Sequence, residues 1–375
     1  MNIEPLKNIF KINLKIKSYE KVLVFTDFPK EEETLSEIEY KRRVKLRQIA
    51  QTLYELGKSF CKEIKYYEYP SLGCHGKEPP EEIWILAFGE RAIREIKESN
   101  LFNKIIDKKI SDKELNLIKE IIKKYREDAV NAVVALSNFS TTHTNFRDLL
   151  TKICGTRYAS MPLFDASMLK GAMNADWKEV YKRGVKLKRA LANAEEIEMV
   201  TPNGTEIRMR KGDRKVCIDS GILSKKGSFG NLPAGEVFFA PLEGSAYGKL
   251  VVEWAPTRKL ESPLIFYIKD GKLISIEGKE PYRAELEKIL DERQENRNIA
   301  EFGIGINDKA TRADNILESE KILGTVHIAL GDNSSFGGKV RTNFHQDFVF
   351  FKPTVYLILK NSSKYAIISE GKLLI

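Results

Sequence analysis

Four histidines occur in 375 residues, and two of them fall within one stretch, "GTVHIALGDNSSFGGKVRTNFHQD" (Gly324–Asp347). His327 sits among apolar residues, and His345 is followed two positions later by Asp347. On a strand, residues i and i+2 face the same way, so His345 and Asp347 can serve one site. Two glutamates beside glycines extend the set: Glu236 in "NLPAGEVFFAP" and Glu301 in "NIAEFGIGIND". A carboxylate at the mouth of a glycine-rich turn lies where backbone can approach a ligand closely. Three carboxylates and two imidazoles are oxygen and nitrogen donors that suit zinc, cobalt or manganese, and one carboxylate can bridge two ions. Each residue also has an ordinary reading: a glutamate at a surface turn, a hydrogen-bonded core histidine, an H-x-D pair met by chance. Spacing over so long a span leaves those alternatives open.

The elements that must position these side chains change in texture along the chain. In the first half, "KVLVFTDF", "IKYYEYP", "EEIWILAFG" and "NAVVALSN" are short apolar runs. Between them lie helical patterns such as "LSEIEYKRRVKLRQIAQTLYELGKSF", with Ile38, Val44, Ile49, Leu53 and Leu56 on roughly one face. Ser111 with Glu114 forms a capping-box pattern ahead of a further helix. Short strands alternating with helices predict a largely parallel sheet flanked by helices, an α/β N-terminal domain. After the helix Asp176–Ala194 the pattern turns to hairpins around Asn203-Gly204 and Asp270-Gly271, with helices only at Arg283–Arg297 and Arg312–Leu323. The expected division is residues 1–194 and a β-rich α+β domain over 195–375 that carries the metal site.

Composition excludes several classes. Hydrophobic residues make up 42% of the chain, enough for a substantial core, and the 31% charged fraction with abundant Ile is a pattern of proteins from hot environments. The net charge of +9 comes from bases scattered among acids on solvated helix faces, which argues against a nucleic-acid partner. Cys61, Cys74, Cys154 and Cys217 form no C-x-x-C, so no cysteine zinc site is expected. No apolar run is long enough to span a membrane and no signal peptide is evident, so a cytoplasmic protein is expected.

Taken in order, "NLPAGEVFFAPLEGSAYGKLVVE", "EFGIGIND", "GTVHIALGDNSSFGG" and the final H-x-D are similar to the signature blocks of the thermophilic-type dinuclear metallo-aminopeptidases, the family of aminopeptidase T and aminopeptidase S. "RYASMP", "GAMNADW" and "TPNGTEI" resemble it too, so the resemblance runs from about Arg157 to Val349. It implies two divalent ions held by Glu236, Glu301, His327, His345 and Asp347, an α/β first domain and a homodimer. It also implies removal of N-terminal residues from peptides by a metal-activated water, with Glu301 as the proton carrier. Glu243 in "PLEGSAYG" is a candidate for the substrate amine, and Arg157 and Lys339 for an oxyanion or carboxylate. Better-known members carry a metal-contacting Tyr after the first histidine. Between His327 and His345 the aromatics here are Phe336 and Phe344, which leaves that position to water, Ser334 or Ser335. Two other classes stand beside this one. The first is a catalytically altered member that binds peptides as a scaffold. The second is a nucleotide-binding protein using "FGIGIND" and "GDNSSFGGK", against which there is no G-x-x-x-x-G-K-[ST].

Overall fold

The computed structural model describes residues 3–375. The chain forms two compact units. The first comprises the residues up to Asn174 together with Gly221–Pro233, and the second Ala175–Ser220 with Ala234–Ile375. Among the described residues, no helix is long and apolar enough to cross a membrane.

In the first unit five parallel strands run in the order Glu63–Pro70, Lys21–Phe28, Ala132–Ala135, Arg157–Ser160, Phe229–Asn231. The central strands read as unbroken apolar runs because helices cover both faces. The long helix Glu37–Gly57 buries Arg43, Leu46, Ile49, Ala50, Leu53 and Gly57, whereas Ile38 is exposed. The capping box at Ser111 forms as expected. "EEIWILAF" is a helix, Glu81–Phe88, not a further strand. A short apolar run carries no period that separates a strand from a buried helix. Here Pro80 and two glutamates at the N-terminal turn favour the helix.

In the second unit an eight-stranded antiparallel sheet contains both expected hairpins. A second, five-stranded antiparallel sheet runs in the order His345–Phe350, Val326–Gly331, Ile299–Gly305, Glu236–Phe239, Cys217–Asp219. One face of this sheet is apolar: Phe239 packs on Phe302 at 5.6 Å, and Phe348 meets Phe266 of the eight-stranded sheet edge-on at 5.2 Å. The boundary falls near Ala175, earlier than Ala194, because helix Trp177–Ala192 packs on this unit. A Cβ at Gly184 would lie 2.7 Å from Ile218 and 3.2 Å from Ile306. The helix expected over Arg312–Leu323 contracts to Ile316–Ser319, and the one over Arg283–Arg297 to Tyr282–Glu292 plus a 3-10 turn.

Candidate metal centre

The other face of the five-stranded sheet carries the chemistry. Cross-strand partners share a face, and the register brings Glu236 opposite Gly305, Gly303 opposite His327, Ala329 opposite both Glu301 and Asp347, and Gly331 opposite His345. Between the candidate ligands this face carries Gly303, Gly305, Ala329 and Gly331, which leaves open space over the sheet, with Phe238 and Val349 flanking the Gly303–His327 pair. Glu301–Gly305 of "EFGIGIND" is therefore strand interior, not a glycine-rich turn. Gly303 makes room for the histidine ring: a Cβ there would lie 1.9 Å from His327 Nε2. Strict alternation from Ile299 would turn Glu301 to the apolar side. A bulge between them, where Ile299 pairs with Leu330 and Glu301 with Ala329, turns it to the open face instead.

All five predicted side chains converge in two groups that share one carboxylate. Glu236, Glu301 and His327 form the inner group, and Glu301, His345 and Asp347 the outer one. His327 Nε2 lies 3.2 Å from Glu236 and 3.4 Å from Glu301. His345 Nε2 lies 3.5 Å from Glu301 and 3.6 Å from Asp347. Glu236, Glu301 and His327 are buried, and the His345 side chain is 29% exposed, so the outer group opens to solvent. His345 Nδ1–H donates to the Asp332 carbonyl at 2.8 Å. A carbonyl can only accept, so the proton sits on Nδ1 and the Nε2 lone pair faces the carboxylates.

Charge in the cluster is unevenly balanced. Burial would raise the Glu236 carboxyl, but Lys321 and His327 outweigh it and hold it at about 2. Glu301 goes the other way, pushed up by burial and by the charge of Asp347 against the pull of the histidines. Burial would lower His327, but Glu236 and Glu301 raise it to about 10. Protons on imidazole and the Lys321 ammonium thus offset three crowded carboxylates. Metal ligation needs neutral imidazole, so an ion entering here would release protons. His327 Nδ1 and Asp347 Oδ1 are buried without a hydrogen-bond partner. An orphaned carboxylate oxygen beside a histidine fits a site built for a cation.

The weaker candidates are accounted for otherwise. Arg157 belongs to the first unit, where its guanidinium donates to the Leu14 and Lys15 carbonyls and pairs with Glu20 at 2.6 Å. Glu243 accepts from Lys339 N at 2.8 Å and Asn333 Nδ2 at 3.2 Å and pairs with Arg214, so it ties down the loop after His327 and has no oxygen left for an amine. Lys339 takes part through its backbone, with its side chain exposed. The Ser334 hydroxyl donates to the Asp332 carboxylate at 3.0 Å and does not fill a ligand position. Phe336 stands edge-on to His345 at 6.1 Å and to Phe238 at 5.5 Å. The sequence reading missed Lys321, which is wholly buried with Nζ 3.0 Å from Glu236. Nothing in the polar run "ILESEKILG" signals its burial.

Comparison with known proteins places this geometry. The 2,5-dihydroxypyridine dioxygenase from Pseudomonas putida KT2440 superposes with a TM-score of 0.68 at 16% identity, covering 100% of this chain and 98% of that one. AmpT from Thermus thermophilus superposes with a TM-score of 0.59 at 13% identity, covering 99% and 98%. The fold resemblance to aminopeptidase T is therefore real, and at these identities it is a likeness of fold alone. No curated protein matches the sequence. A family model, NicX: 2,5-dihydroxypyridine 5,6-dioxygenase, matches residues 165–373. This overturns the expectation of a metallo-aminopeptidase, and with it the hydrolase and protease character: the family is one of oxygenases, not of peptide hydrolases. The matched span is more than half of the chain and holds all five clustered side chains, so the chain belongs to the NicX, 2,5-dihydroxypyridine 5,6-dioxygenase, family.

Proposed function

We propose that this protein is a metal-dependent oxygenase acting on a dihydroxylated aromatic ring, with metal held by Glu236, Glu301, His327, His345 and Asp347. The observation that carries the reading is the family match over a span that contains this whole cluster. Two histidines with carboxylates and an open side are the donor set of non-haem iron oxygenases, and the shared Glu301 offers room for a second ion. A divalent metal there supplies the one-electron and Lewis-acid chemistry that dioxygen activation needs. The protein's own groups do the rest. His345 is locked in one tautomer by the Asp332 carbonyl. Phe336, edge-on to His345, and Phe238, edge-on to Phe336, are both half-buried and form an aromatic wall against which a flat ring can pack.

The test is dioxygen uptake by iron(II)-loaded protein given 2,5-dihydroxypyridine and, separately, dihydroxybenzenes, with loss of ring absorbance as the second readout. Stoichiometric uptake with ring loss supports the reading. No uptake with any dihydroxylated ring, with iron, manganese or cobalt loaded, defeats it. Gly303→Ala gives an independent check. Its methyl would occupy the place of the His327 imidazole, so the ring must swing away from Glu236 and Glu301. Metal affinity measured by competition with a chromophoric chelator should fall by roughly 10–100-fold, the range seen when a ligand loses its orientation. Unchanged affinity would remove His327 from the ligand set.

A further inference from the structure

Lys321 is fully buried, yet its ammonium lies inside the candidate metal cluster. Nζ is 3.0 Å from Glu236 Oε1 and also pairs with Glu320. Its arrival there is built into the fold. Lys321 carbonyl accepts from Asn307 N at 2.9 Å, and the backbone of 321–322 crosses directly over Gly305, where a Cβ would lie 2.0 Å from the Ile322 carbonyl oxygen. Gly305 is the cross-strand partner of Glu236, so the lysine descends onto that carboxylate and not onto Asp347. The fixed positive charge therefore sits at one end of the cluster. The inner group, Glu236–Glu301–His327, holds an ammonium beside one of its three donors, and among the described residues no ammonium contacts the donors of the outer group, Glu301–His345–Asp347.

We propose that Lys321 makes the two halves of the site unequal, so that the outer group takes the first divalent ion and the inner group takes a second only weakly. The inference rests on the metal-site reading above and adds its stoichiometry. An ion entering the inner group must share Glu236 with an ammonium in a buried, low-dielectric setting, where like charges repel more strongly than in water. Among the described residues no lysine or arginine pairs with the outer group, its Asp347 Oδ1 is unpartnered, and its histidine turns Nε2 toward Glu301 and Asp347. Lys321 is thus a positioning residue that sets how many ions the site holds.

Titration of metal-free, full-length protein with manganese(II), followed by calorimetry and by loss of the free-ion paramagnetic signal, reads this directly and needs no turnover. The wild type should bind one equivalent tightly and a second at least about 100-fold more weakly. Lys321→Gln and Lys321→Met should tighten the second equivalent by about tenfold or more and leave the first unchanged. Lys321→Arg, which keeps the charge, should retain the one-equivalent profile. Circular dichroism checks that each variant is folded, and the wild-type titration decides the question even if a variant is not. Two equivalents of equal affinity in the wild type, or a Lys321→Gln profile identical to it, overturns the inference and leaves the metal site standing. Absence of any manganese, iron or cobalt binding overturns both.

Discussion

Glu301→Gln should abolish metal binding in both halves of the cluster at once, while making the metal-free protein more stable. Among the described residues, Glu301 is the side chain common to the two groups of donors. Glutamine keeps its volume and one neutral oxygen but loses the charge that a divalent ion requires. Loss of even an outer partner of a ligand costs roughly 10–100-fold in metal affinity, and loss of a shared ligand should exceed that range. The stability effect has the opposite sign. Burial and the neighbouring Asp347 push the Glu301 carboxyl up, so its ionised form is a cost that the fold carries in the absence of a cation. That cost is absent below the unfolded carboxyl's pKa and grows as pH rises through the folded value; the amide removes it. Elemental analysis after gel filtration should find metal in the wild type and none in Glu301→Gln. Thermal unfolding of chelated samples near neutral pH should show a higher midpoint for the variant. His75→Ala and His143→Ala serve as controls that keep their metal, since both residues belong to the first unit, where His75 Nδ1 accepts from Ser140 N at 3.0 Å. A Glu301→Gln protein that retains full metal would sink the shared-ligand assignment.

Strand geometry alone pointed to His345 and Asp347; the full set of five as ligands came from the resemblance to the aminopeptidase blocks. An H-x-D on a strand must present both side chains to one face, and a histidine bracketed by apolar residues is fixed by packing. The sheet types were legible for similar reasons: apolar runs between helices for the parallel sheet, and Asn-Gly and Asp-Gly turns for the hairpins. What escaped depends on contacts that period and composition do not encode. The bulge that turns Glu301 to the open face is one extra residue in a strand of uniformly buried positions. Lys321 reads as one more charge in a charged segment, and only the passage of its backbone over Gly305 buries it. Helix Trp177–Ala192 shows an amphipathic pattern that does not name the sheet it will cover. Activity escaped for a deeper reason. Nitrogen and oxygen donors in this proportion serve ions that activate water and ions that activate dioxygen alike, so the ligand blocks matched an aminopeptidase pattern in a chain of an oxygenase family.

The first unit should become less stable as pH rises from 5 to 8, and Glu78→Gln should remove the share of that dependence that Glu78 contributes. Glu78 lies in the loop after "GCHGK" and is 5% exposed. Its carboxylate accepts from Asn145 N at 2.6 Å and Phe146 N at 3.0 Å, at the start of helix Asn145–Leu149. Burial nevertheless outweighs these donors and raises the carboxyl from 4.5 to about 7. Between those two values the folded state holds a proton that the unfolded state has released. Stability from this group is therefore complete below pH 4.5 and is lost as pH passes through 7. A shift of that size corresponds to about 3 kcal/mol, most of it expended between pH 5 and 8. The amide cannot ionise, so at pH 8 it spares the fold a buried charge. One of the two backbone N–H groups then faces an amide NH2, and that lost hydrogen bond costs about 1 kcal/mol at every pH. The two proteins should consequently cross: wild type more stable at pH 5, Glu78→Gln more stable at pH 8. Urea unfolding followed by hydrogen exchange of amides in the parallel sheet isolates the first unit from the second, where the titrating histidines would confuse a global signal. Other buried carboxyls such as Asp27, also raised by burial, contribute equally to both proteins and cancel in the difference. Parallel pH profiles for the two proteins would show that Glu78 is ionised in the fold throughout, with the two helix N–H donors strong enough to overcome its burial.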